Sequence, residues 1–137
     1  MKTLFVGYRV TDLDRSLGCY TALGYAELGR VEAGDGARLV ILKFPDEPAA
    51  SLELVHRPAD GPVDVGSGFD HLAIQAERLA TTLETLTETG LRPEPLQYPG
   101  GPHGPKTSWL TDPDGYRIEL VEWPSGHPDG ITAADFA

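Results

Sequence analysis

Shifted against itself by 66 residues, the chain repeats its own apolar pattern, and this constrains its fold more than any other feature. "FVGYRVTDLDRSLGCYTALGY" (5–25) then lies on "HLAIQAERLATTLETLTETGL" (71–91), with Leu13 on Leu79, Leu17 on Leu83, Tyr20 on Leu86 and Gly24 on Gly90. The same shift carries Glu53 onto Glu119, Leu52 onto Ile118, Leu54 onto Leu120 and Val55 onto Val121. Identity is low, and any single match is compatible with chance. One offset that aligns a helical stripe, a glycine stop and a distant strand is not. Such periodicity marks a chain built from two copies of one supersecondary unit.

Each copy carries the same local signals. Residues 4–10 and 69–75 read as strands. Leu13, Leu17 and Tyr20, like Leu79, Leu83 and Leu86, recur at i, i+4 and i+7 and make one helical face apolar. Thr11 or Asp12 suits the first N-cap, and Gly24 and Gly90 sit where a left-handed residue ends a helix. Strand candidates follow at 26–32, 37–43 and 50–56, and again at 92–98, 106–111 and 115–122. The expectation is an α+β fold of two βαβββ modules, about 1–58 and 66–123, in a single domain spanning 1–137. A polar connector, "HRPADGPVDVGSG" (56–68), joins them, and "DPDG" (112–115) is a tight turn. The tail, 124–137, has no periodicity. Trp123, Ile131 and Phe136 are its candidate anchors.

The net charge of −10 argues against nucleic-acid and anionic-membrane partners and favours solubility or cationic ligands. A single cysteine, Cys19, inside a helical pattern reads as a small buried hydrophobe. No intramolecular disulfide can form, and no signal-type apolar stretch opens the chain, so a cytoplasmic setting is expected.

Strand alternation then sorts the polar residues. Leu52 and Leu54 oppose Glu53, Ile118 and Leu120 oppose Glu119, and Leu72 and Ile74 oppose His71 and Gln75. If the aliphatic faces pack on the helices, Glu53, His71, Glu119, Arg9 and Gln75 share the other face. Each alone reads as an ordinary solvated strand residue. The repeat, however, implies that Glu53 and Glu119 converge, and two carboxylates in one hollow require a proton or a cation between them. With the His71 imidazole they form a plausible divalent-metal set that leaves open positions for substrate.

"VGYRVTDLDRSLGCYTALGY", "GFDHLAIQ" and "TDPDGYRIELVEW" resemble the vicinal oxygen chelate superfamily of glyoxalase I, bleomycin-resistance proteins and extradiol dioxygenases, most closely its glyoxalase-I-like members. The resemblance covers nearly the whole chain. It implies curved mixed sheets around a shared cup and a divalent ion (Ni, Zn, Mn or Fe) held by the first and fourth strands of each module. It assigns His71, Glu53 and Glu119 to the metal, Glu119 as catalytic base with Glu53 as its partner, and Phe5 to the fourth ligand position, where glyoxalases carry His or Gln. Phenylalanine cannot coordinate, so Phe5 is left facing substrate. Arg9 matches a position that contacts the anionic end of a thiol cofactor. Arg57 replaces an asparagine that helps to hold glutathione, which implies a different thiol or none. His103, in the glycine-rich "YPGGPHGPKT" (98–107), is placed to reach a ligand. The implied activity is lactoylglutathione-lyase-type isomerisation of a small 2-oxo substrate. A metal-free antibiotic binder and a ring-cleaving dioxygenase are the alternatives. A homodimer is expected by analogy.

Overall fold

The computed structural model describes all residues, Met1–Ala137, as two compact units. The first comprises Met1–Gly68 and Asp112–Gly115, the second Phe69–Thr111 and Tyr116–Ala137.

In the first unit β1 (Val6–Arg9), α1 (Leu13–Leu23), β2 (Ala26–Glu32), β3 (Arg38–Lys43) and β4 (Leu52–His56) follow in order. They form a four-stranded sheet, β1-β4-β3-β2, in which only β1 and β4 are parallel. The Asp12 carboxylate caps α1 by accepting from the Arg15 amide. The apolar stripe falls on Leu13, Ser16, Tyr20 and Leu23, and Leu17 is only half-buried. This corrects the expected spacing: Ser16 and Cys19 belong to the buried face of α1, and Leu17 lies at its margin. Tyr20, Leu52, Leu54, Val40 and Leu42 are almost fully buried. Each such side chain contributes about 1.5–3 kcal/mol relative to exposure.

The second unit holds β5 (Leu72–Gln75), α2 (Leu79–Glu88), β6 (Lys106–Thr111) and β7 (Arg117–Glu122) in a sheet of order β5-β7-β6. The pairing register repeats to the residue. Val6 sits opposite Leu52 in one parallel pair, and Leu72 opposite Ile118 in the other. Both helices end alike: the Tyr25 amide donates to the Tyr20 carbonyl, as Leu91 does to Leu86, across Gly24 and Gly90 at positive φ.

Two departures from the repeat have local causes. The expected strand at 92–98 is reduced to a bridge between Gln97 and Thr107. Pro93 and Pro95 lack amide donors, so the segment pairs with β6 only intermittently, through the Glu94 amide on Trp109, the Ser108 hydroxyl on the Glu94 carbonyl and the Gln97–Thr107 pair. The helix α2 also lacks a capping side chain of its own, because Arg78 occupies that position. Glu122 of β7 substitutes, accepting from the Leu79 amide at 2.7 Å and from Lys106 at 2.8 Å.

The "DPDG" turn lies with the first unit. The Asp112 carboxylate, 5% exposed, accepts from the Tyr20 hydroxyl at 2.9 Å, and Tyr20 in turn bonds Tyr8. Asp114 receives the Thr11 amide. No helix is long and apolar enough to cross a membrane.

Candidate functional site

The parallel pairing of first and fourth strands sets what surrounds each glutamate. In the second unit Glu119 on β7 lies between Ala73 of β5 and Trp109 of β6. In the first unit Glu53 lies between Gly7 and Ile41. The first-strand neighbour is small both times, so each carboxylate stands clear. At Gly7 the clearance is needed, since a methyl group there would meet Glu53 Oε1 at 3.1 Å. Gly7 and Ala73 are 66 residues apart, a signal that was available in the sequence but passed over.

His71, just before β5, reaches Glu119. Its Nε2 lies 3.2 Å from Glu119 Oε2, and its Nδ1 lies 2.5 Å from Asp70 Oδ1. The ring edge packs on Trp109, with centroids 5.0 Å apart. A neutral imidazole has one N–H, yet both of its nitrogens face carboxylate oxygen. The second contact therefore takes an additional proton or a shared cation. Two donor atoms each about 2.1 Å from one ion, at angles of about 90–109°, stand roughly 3.0–3.4 Å apart. The His71–Glu119 spacing lies in that range, so this pair fits two neighbouring positions on a divalent ion. The carboxylate of Asp70 on Nδ1 is the outer partner that metal-binding histidines ordinarily have.

These two residues sit in the wall of a cavity of about 440 Å³ contained within the second unit. Ala73, Ile74, Val121, Trp123, Pro99 and Pro105 supply most of its apolar lining. The tail closes part of it with Gly130 and Ile131. Gln75 holds the tail in place. Its carboxamide oxygen accepts from Trp123 Nε1 at 2.8 Å and from the Gly130 amide at 2.9 Å, and its nitrogen donates to Asp129. His127 stacks on Trp123 and pairs with Asp135 at 2.6 Å, which raises the histidine's pKa above its ordinary value. Of the expected anchors, Trp123 and Ile131 serve this cavity, whereas Phe136 is 82% exposed.

The other expected site residues lie elsewhere. Phe5 and Glu53 belong to the first unit, and no donor in the chain engages the half-buried Glu53 carboxylate. Arg9 donates to the Gly61 carbonyl at 2.6 Å, beside Asp60. Arg57 pairs with Asp35 at 3.2 Å. His103 is exposed and outside the cavity wall; the loop contributes Pro99 and Pro105 instead. In neither unit are three or more His, Cys, Asp or Glu side chains grouped to hold an ion.

The pattern described as "Glyoxalase/Bleomycin resistance protein/Dioxygenase superfamily" matches residues 3–120. The chain belongs to this superfamily. A probable lactoylglutathione lyase of Synechocystis is 32% identical over 122 residues, covering 83% of this chain and 89% of that protein. A probable chloroplastic lactoylglutathione lyase of Arabidopsis thaliana is 31% identical over 126 residues. The chain spans only 35% of that relative, and 43% of a lactoylglutathione lyase of rice. Among solved structures, glyoxalase I of Zea mays superposes with a TM-score of 0.79 at 27% identity, over 90% of this chain and 45% of the other. Trypanothione-dependent glyoxalase I of Leishmania major gives 0.71 at 28%, over 89% and 86%. A bleomycin-binding protein, at 20% identity and 0.65, shares the fold. The α+β class and the glyoxalase/bleomycin-resistance fold are thus those expected from the sequence, and the protein is a glyoxalase-I-like member of the superfamily.

Proposed function

We propose that the protein is a metal-dependent isomerase of glyoxalase I type, acting on a small 2-oxo compound with neighbouring oxygens. The observation that carries this reading is the His71–Glu119 pair, set in the wall of an apolar cavity at a spacing that suits a shared ion. The lactoylglutathione lyases among its relatives support it. His71 Nε2 and Glu119 would hold the ion, in a protein proposed to work as a cytoplasmic homodimer. Bound there, Ni²⁺, Zn²⁺, Mn²⁺ or Fe²⁺ would supply Lewis-acid stabilisation to an enediolate. The chain's own part is proton transfer. Glu119 Oε2 faces His71, and its other oxygen, which no donor engages, takes a proton from the carbon beside the carbonyl and returns it to the adjacent carbon. Asp70 keeps the imidazole in place, and the apolar wall keeps water from the reacting carbons.

The test is metal uptake followed by isomerisation of hemithioacetals made from methylglyoxal. About one ion per chain, with turnover abolished by Glu119→Gln, is the expected result. Protein that takes up none of the four metals and still binds apolar compounds would instead support a sequestering protein. The apolar lining of the cavity favours that second reading.

A further inference from the structure

We propose that the cavity of the second unit takes a ligand without carboxylate arms: a neutral or cationic compound with an apolar or aromatic body. This rests on that cavity being the functional site, and it sets the ligand apart from the adduct of an anionic thiol that the relatives' names imply.

The wall contains no lysine or arginine, and its one formal charge is the Glu119 carboxylate, 22% exposed. The one lysine and one arginine borne by β6 and β7 are already engaged by the chain itself. Lys106 pairs with Glu122 at 2.8 Å, and Arg117 pairs with Glu94 at 2.6 Å while lying over Trp109. Arg9 and Arg57, the two positions that family resemblance assigns to thiol recognition, are held by Gly61 with Asp60 and by Asp35. With the open positions of an ion on His71 and Glu119 taken by the reacting oxygens, a ligand's carboxylate would have to break the Lys106 or Arg117 pair or stay unpaired.

Few polar groups remain to meet a ligand. Gln75 is committed on both ends of its amide to the tail, and the Thr107 backbone pairs with Gln97. That leaves the His71–Glu119 pair and the Thr107 hydroxyl on an otherwise hydrocarbon and indole surface. Such a surface selects by shape and apolar contact, with few polar anchors. Ile131 completes it from the tail and is 65% exposed, so it is held at the wall by the Gln75 bonds to its neighbour Gly130 and not by burial.

The experiment compares S-benzylglutathione with its diethyl ester, which lacks both carboxylate charges but adds two ethyl groups, on the nickel-treated full chain; the Ile131→Arg variant separates charge from added apolar surface. Binding is read by calorimetry and by the fluorescence of the two tryptophans, Trp123 in the wall and Trp109 beside Glu119. The diester is expected to bind at least about tenfold more tightly than the free acid. Ile131→Arg, at a position exposed enough to accept it, should bring the free acid close to the diester. Equal or tighter binding of the free acid by the unaltered protein overturns the proposal. So does failure of both probes to bind protein that has taken up nickel. Absent nickel uptake with the diester preference intact would instead remove the isomerase reading and leave this one standing.

Discussion

Asp70 allows the metal reading to be tested apart from stability. Its side chain is 93% exposed, and its contact with His71 Nδ1 at 2.5 Å is the only one it makes. An exposed ion pair contributes little to folding, so removing the carboxylate should move the denaturant midpoint by no more than about 0.5 kcal/mol in stability. Its effect on metal affinity should be larger, because the contact holds the ring with Nε2 towards Glu119. Loss of an outer partner of this kind typically costs 10–100-fold in affinity, and the exposure of Asp70 points to the lower end, about tenfold. Two variants separate charge from orientation. Asp70→Asn keeps an oxygen able to accept from Nδ1–H and should lose several-fold; Asp70→Ala loses both and should reach about tenfold. Competition of Ni²⁺ against a chromophoric chelator, at fixed pH and salt, gives the ranking. Unchanged affinity in Asp70→Ala, with the fold intact, would show that His71 does not bind the ion through the geometry described.

Three further outcomes concern the frame around the site. Glu122→Ala removes the acceptor for the Leu79 amide and should cost about 1–2 kcal/mol in urea unfolding at neutral pH. The Lys106 contact first, and the Leu79 amide second, hold the Glu122 carboxyl below its ordinary pKa. Its stabilisation is therefore complete above the unfolded carboxylate pKa and disappears as pH falls through the folded one, so the gap between variant and parent should narrow on acidification. Tyr20→Phe deletes the donor to buried Asp112 and should cost roughly 2 kcal/mol, with an unchanged denaturant slope. Burial pushes the Cys19 thiol up to about 11, with Asp112 adding to the shift, so alkylation by iodoacetamide at pH 8 should be slow in the folded protein and fast in urea.

Much of this frame is legible in the sequence because it is written twice. The offset that aligns Glu53 with Glu119 also aligns the parallel strand pairs and both glycine helix stops. Copying averages out local ambiguity. Where the copies diverge, the reading weakens: Pro93 and Pro95 have no counterpart in β2, and the strand expected there is lost. Long-range capping is also invisible in a linear pattern. Nothing in "AERLATT" signals that Glu122 will complete the helix, and nothing in "DPDG" shows that its first aspartate will accept from Tyr20. Within the candidate site, the facing of His71 and Glu119 follows from strand alternation. The pairings that commit Arg9 and Arg57 do not, since their partners lie in loops whose path no periodicity fixes.

The two copies have not kept equal shares of the chemistry. Each preserves a glutamate beside a small first-strand residue, Gly7 with Glu53 and Ala73 with Glu119, so the platform survives in both. Only the second has an imidazole to face its glutamate, because Phe5 stands where the repeat would place a counterpart of His71. The second also carries Trp109 beside the glutamate, where the first has Ile41, and it alone has the tail that walls the cavity. A symmetric pair of half-sites would bind an ion through both copies equally. Here one copy orients a nitrogen and an oxygen as a unit, whereas the other offers a single unpaired carboxylate. That asymmetry predicts unequal consequences: removing His71 or Glu119 should abolish high-affinity metal uptake, and removing Glu53 should leave an ion bound by the second unit's pair.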